Sequence, residues 1–133
     1  LKMEKMEAAA LSFKSLKANF PQSKYLNDVN YYLGVAYFKK GEWAASRDQI
    51  QMFLHDLPRA NEFSAEANYI LALSLFNLGD SPKAMELLEQ IIKNYPNESA
   101  MVKDAEIGIA RCVYNLGDSK EAIKKFKIIR SQK

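Results

Sequence analysis

Apolar residues recur along this chain three and four positions apart, and glycine or proline cuts the runs at regular intervals. From Ala65 to Leu78 the apolar or small positions are Ala67, Ile70, Leu71, Ser74, Leu75 and Leu78, which form one face of a helix. Gly79 ends that helix, because glycine enters the left-handed conformation without a Cβ penalty. Asp80 or Ser81 caps the next helix. Pro82 sits in its first turn, where a missing N–H costs nothing. That second helix turns Ala84, Met85, Leu87, Leu88, Ile91 and Ile92 inward, and Tyr95-Pro96 closes the unit.

The same unit recurs. Gly41-Glu42-Trp43-Ala44-Ala45, Gly79-Asp80-Ser81-Pro82-Lys83-Ala84 and Gly117-Asp118-Ser119-Lys120-Glu121-Ala122 have their glycines 38 residues apart, and Pro21, Pro58 and Pro96 are spaced 37 and 38. A fixed period of this length marks a solenoid, whose units bury their apolar faces only by stacking on one another. Aligned copies give packing columns. First helices supply Leu33, Leu71 and Ile109, then small residues at Gly34, Ala72 and Ala110, then Ala36, Ser74 and Cys112. Second helices supply Ser46, Ala84 and Ala122, then Ile50, Leu88 and Phe126, then Phe53, Ile91 and Ile129. The second-helix signature also precedes Pro21, as Ala9, Phe13 and Leu16. The pattern predicts one all-α domain over 1–133, a right-handed α-solenoid of seven helices. Its parts are a half repeat at 1–20 and helical hairpins at 24–58, 62–96 and 99–133. Asp118 and Glu121 have capping-box spacing. Gly108, mid-helix, either opens a notch or marks an imperfect copy.

Composition fits a folded domain: 48% of the 133 residues are hydrophobic and 26% charged. The net charge of +3 is too weak to imply nucleic acid, and it is unevenly placed. Lys120 to Lys133 holds six Lys or Arg and one Glu, a local +5, so the remainder is −2. Those lysines suit the C-terminal end of a helix dipole, and they also fit a docking patch for an acidic partner or anionic lipid. A single cysteine excludes an internal disulfide and a thiolate metal site. Its column, with Ala36 and Ser74, reads as a small buried thiol. His55, the only histidine, reads as a half-exposed residue in the last turn of a second helix. With one histidine, and no glycine-rich phosphate loop, no catalytic site, metal site or cofactor is expected. The longest apolar run, Tyr69 to Phe76, is broken by Ser74 and far too short for a membrane span. The chain opens on Leu1 in mid-pattern, as an excised or processed piece would.

Leu33-Gly34, Tyr37, Gly41, Ile50 and Pro58, with Leu71-Ala72, Gly79, Ala84, Leu88 and Pro96, resemble the tetratricopeptide repeat. The units are longer than the usual repeat, Ser46 stands where alanine is expected, and motifs such as Phe20-Pro21-Gln22-Ser23-Lys24-Tyr25 and Tyr95-Pro96-Asn97-Glu98-Ser99 precede new helices. That long-linker variant resembles repeats of bacterial envelope proteins, notably the C-terminal domain of the Tol–Pal coordinator and component D of the outer-membrane β-barrel assembly machinery. The resemblance implies a non-enzymatic scaffold for a protein or peptide partner, periplasmic or outer-membrane-associated, with the cytoplasm left open.

In this architecture the first helices line a concave groove. Phase assigns partner-binding positions in three columns: Tyr31, Tyr69 and Ile107; Val35, Leu73 and Arg111; Phe38, Phe76 and Tyr114. The last column also fits inter-repeat core. Asp28, Glu66 and Asp104 form an acidic rim, which equally suits helix N-termini, and Lys39, Asn77 and Asn115 form a polar one. Apolar side chains exposed in a row mark a binding surface, here for an apolar or amphipathic segment. The resemblance also points to Tyr31, Val35 and Ile70 as the places where chaperone-binding repeats carry Lys and Asn for a terminal carboxylate, so an acidic chaperone tail is not expected. Two rivals remain: self-association through uncapped terminal helices, making a homo-oligomer, and a weaker one, nucleic-acid or lipid docking by the lysines of Lys120 to Lys133, with nucleic acid not expected.

Overall fold

Three glycines punctuate the chain in the same way. Gly41, Gly79 and Gly117 have φ of 80, 92 and 93°. At each, the glycine N–H donates to the carbonyl three residues back, and the next N–H reaches the carbonyl five back. For Gly79 these bonds are to Phe76 at 3.0 Å and from Asp80 to Leu75 at 2.8 Å. This is the Schellman closure, which satisfies carbonyls that a helix end would otherwise leave unpaired. Asp80 Oδ1 then accepts the Lys83 N–H at 3.3 Å and Asp118 Oδ1 the Glu121 N–H at 3.1 Å, so aspartate rather than serine starts the helices that follow.

The structure is a computed structural model that describes residues 2–19, 26–57 and 59–131. Among them lie seven helices and no strand: α1 (Lys2–Asn19), α2 (Leu26–Lys40), α3 (Trp43–Asp56), α4 (Ser64–Asn77), α5 (Ser81–Asn94), α6 (Ser99–Asn115) and α7 (Ser119–Ser131). Pro58 and the Phe20 to Tyr25 motif lie outside the described residues. Each helix packs on the next, and α2 touches α4 as α4 touches α6. First helices therefore stand side by side along one face of an α-solenoid, with α3, α5 and α7 behind them.

The columns are the core. Leu33, Ile50, Phe53, Leu88 and Ile91 are almost fully buried, as are Ala72, Ala84, Ala110, Cys112 and Ala122. Close approach explains the small column: a Cβ on Gly34 would run into the Ile50 side chain. Ser46, the departure from alanine, uses that proximity, since its Oγ donates to the Gly34 carbonyl at 2.7 Å. Gly108 is neither a notch nor an imperfect copy. A Cβ there would stand 2.7 Å from Leu88 Cδ1, so glycine is what lets α6 settle onto α5. Three expected core positions differ, and one of them is Leu16 of α1, 40% exposed. Leu78 is exposed because it is the C-cap of α4 rather than part of its inward face. Phe126 is 36% exposed, and no later first helix lies among the described residues to pack on it.

Candidate functional site: the face of first helices

The candidate site is built on α2, α4 and α6, whose adjacency brings their columns together. Val35, Phe38, Tyr69 and Phe76 are half-buried and lean on the core, and Leu73 and Ile107 are half-buried beside them. Phe38 also meets the Trp43 ring edge-on at 5.3 Å, within its own hairpin. Arg111 is exposed, and Tyr114 is 57% exposed at the end of α6.

Tyr31 departs from this strip. It is only 8% exposed, stacked on Phe63 with centroids 4.7 Å apart and tilted against Phe53 at 5.3 Å. Its side chain is core, where helix phase assigns it to the groove floor. Tyr32 is the more open residue at 42%, stacked on Phe13 and edge-on to Phe63. The cause is Phe63, a linker residue just before α4 that caps Tyr31.

Electrostatics tie Tyr69 to its surroundings. Burial raises its phenol above the ordinary range, Asp104 and Glu66 add to that, and Arg111 opposes it. The phenol stays protonated and can donate a hydrogen bond towards the acidic side. Burial likewise raises Tyr31, with smaller contributions from Glu66 and Tyr32. Asp28 is half-buried at the rim, while Glu66 and Asp104 are exposed. Glu62 and Glu98, both from linkers, join Glu66 and Asp104 around an open cleft of about 650 Å³ that also includes Asn97 and Met101. Helical periodicity does not reach linker residues, so the sequence reading missed both glutamates. The spacing of 38 between Phe63 and Met101 is the signal that could have drawn attention to those segments. On the opposite rim Asn77 is tied to its own helix by Nδ2 donating to the Leu73 carbonyl at 2.9 Å, and Lys39 and Asn115 are exposed.

His55 is solvent-exposed beside Asp56 on α3, and Cys112 is buried in α6 with its thiol held protonated by burial. Among the described residues no cluster of His, Cys, Asp and Glu could hold a metal ion. No described helix is long and apolar enough to cross a membrane.

Glycine-closed hairpins, small-residue columns and aligned first helices define a tetratricopeptide-type solenoid, the architecture of protein-binding scaffolds. The chain belongs to the YfiO family, described as outer membrane lipoprotein, whose pattern matches residues 1–111. Among curated proteins none matches the chain. Of solved structures, two crystal structures of MamA are similar. One aligns with a TM-score of 0.72 at 27% identity over 93% of this chain and 62% of that one, the other with 0.68 at 28% over 90% and 65%. A Podosopora anserina putative kinesin light chain with nearly identical TPR-like repeats aligns with a TM-score of 0.73 over 95% and 66%, and at 16% identity it shows the fold alone. The chain spans less than two thirds of each of these structures.

Proposed function

We propose that this chain is a non-enzymatic scaffold that holds an apolar or amphipathic segment of a partner protein against its first helices, within an assembly of the bacterial envelope. The observation that carries the reading is the strip of half-buried Val35, Tyr69, Leu73, Phe76 and Ile107 beside Glu62, Glu66, Glu98 and Asp104. An apolar floor next to carboxylates fits a segment whose apolar anchors are followed by a lysine or arginine. Membership of an outer membrane lipoprotein family supports the envelope, periplasmic or outer-membrane-associated, as the place where it works.

Tyr69→Ala and Leu73→Ala, made separately, test the reading. Both side chains are only half-buried, so melting should change little, whereas a buried Leu→Ala costs about 2–5 kcal/mol. Capture of the partner from an extract of the source cells should weaken by about 2 kcal/mol or more, because aromatic anchors dominate such interfaces. Variants that melt early while still capturing the partner would move the binding surface elsewhere. Self-association is the competing reading, and exposed Leu11 and Leu16 on α1 favour it. A dimer in sedimentation equilibrium that is lost on Leu11→Asp would establish it.

A further inference from the structure

The two steps between first helices, α2 to α4 and α4 to α6, are built from residues 38 positions apart, and they differ in what fills them. At the first step Phe63 stacks on Tyr31 with centroids 4.7 Å apart and buries it. At the second, Met101 stands in place of Phe63 and Tyr69 in place of Tyr31. Met101 packs against the core and Tyr69 stays half-buried. An open cleft of about 650 Å³ is left between the N-terminal parts of α4 and α6, with Ala65, Ala100 and Met101 in its floor. Charge differs as well. Glu62, Glu66, Glu98 and Asp104 line this cleft, whereas the equivalent residues one repeat earlier are Lys24, Asp28, Ala60 and Glu66.

All four carboxylates are exposed, and among the described residues none has a cationic side chain within salt-bridge distance. Nor do they converge on an ion, since no group of three or more among the described residues could hold a metal. The two linker glutamates are held in place by their backbones: the Phe63 N–H, next to Glu62, donates to Asn61 Oδ1 at 2.9 Å, and the Glu98 N–H to the Tyr95 carbonyl at 3.1 Å. Carboxylates spread around an apolar floor suit a side chain with an aliphatic stem and a cationic head. The chain's own basic stretch is held in α7, behind the first helices. A further repeat would stack on α6 and α7 as those stack on α4 and α5, so the cleft is open wherever the chain stops. Concave faces of such solenoids take other proteins. We propose that this cleft seats a lysine or arginine of a partner protein, while Tyr69, Leu73 and Ile107 hold the apolar residues beside it. This site rests on the groove reading and adds to it one step of the solenoid and the charge selected there.

A phage-displayed library of random dodecapeptides, selected on the 133-residue chain, supplies the probe. Enriched peptides should carry a lysine or arginine close to several apolar side chains. The chain's net charge of +3 favours acidic peptides overall, so a basic preference has to be local. A selected peptide, labelled with fluorescein and read by anisotropy, is compared with a copy in which glutamine replaces each basic residue. The basic form should bind the parent about tenfold tighter or more. A variant carrying Glu62→Gln, Glu66→Gln, Glu98→Gln and Asp104→Asn should bind both forms alike, with the parent's affinity for the glutamine form, which also shows that the variant is folded. Met101→Phe, which supplies the residue that stacks on Tyr31 one repeat earlier, should close the cleft and narrow the preference. Apolar enrichment without basic residues, or a basic preference that survives either variant, overturns the cleft and leaves the groove reading standing. No enrichment of apolar residues refutes the groove and the cleft with it. Loss of binding in a longer polypeptide that includes residues 1–133 would assign the cleft to the chain's own segment, and a dimer dispersed by the peptide would assign it to a second copy. Either result overturns the proposal.

Discussion

Gly108 makes a sharp test of how closely the repeats pack, because two effects of opposite sign meet there. Replacing a mid-helix glycine by alanine favours the helix by about 1 kcal/mol. Here the new Cβ would stand 2.7 Å from Leu88 Cδ1, and Leu88 is almost fully buried with little room to retreat. Overpacking of this kind costs about 1–3 kcal/mol. The expected net effect of Gly108→Ala is therefore a loss of up to about 2 kcal/mol. Leu88→Ala alone should cost about 2–5 kcal/mol, since it empties a buried site between α5 and α6. In that background the added methyl meets no crowding and fills part of the cavity. Gly108→Ala should then stabilise, by about 1 kcal/mol from the helix and up to about 0.8 kcal/mol from the buried methyl. The substitution changes sign between backgrounds, which a double-mutant cycle reads as a coupling of about 1–4 kcal/mol. Urea denaturation of the four proteins, followed by the helical circular dichroism signal, measures it. If Gly108→Ala stabilises the parent chain as much as the Leu88→Ala variant, helix propensity alone is acting and the tight α5–α6 contact is wrong.

Most of the fold was legible because its rules are local and repeated. Glycine at 41, 79 and 117 can take positive φ cheaply, and a period of 38 then fixes which residues share a column. Legibility failed where burial depends on something off the helical pattern. Tyr31 occupies the same column as Tyr69, yet Phe63 in the linker stacks on it and turns it into core. Phe126 matches Ile50 and Leu88 in sequence, but no later first helix among the described residues packs on it as α4 and α6 pack on theirs, and column position alone cannot register that. Gly108 was ambiguous for a similar reason, as its meaning lies in a side chain twenty residues away. The acidic cleft drew two of its four carboxylates from linkers, where neither helical phase nor repeat position predicts direction.

The small column should be intolerant of bulk: Ala72→Leu and Ala110→Leu, both at fully buried positions, should each destabilise by about 1–3 kcal/mol in denaturant, and unchanged midpoints would mean the columns are misassigned. Gly79→Ala meets no atom within 4 Å of its new Cβ, so its whole effect should be backbone strain at φ of 92°, a loss of about 1–2 kcal/mol by thermal melting. Cys112 predicts a pH dependence. Burial raises its thiol above the ordinary value of 9.0, so the folded chain holds the proton more tightly than the unfolded chain does. That stabilisation is complete below the unfolded pKa, and it is lost as pH climbs from there through the raised folded value. One such group removes at most about 1.4 kcal/mol per pH unit across that window. Tyr31 and Tyr69, raised above 10.0, add a decline that begins higher. Cys112→Ala places in α6 the residue that Ala36 supplies in α2, so it should fold well at neutral pH. Its stability should stay flat above pH 9, where the parent weakens, until the tyrosines begin to ionise. Identical alkaline profiles for the two proteins would mean that Cys112 reaches water in the folded state, and that the α5–α6–α7 core around it is looser than its complete burial implies.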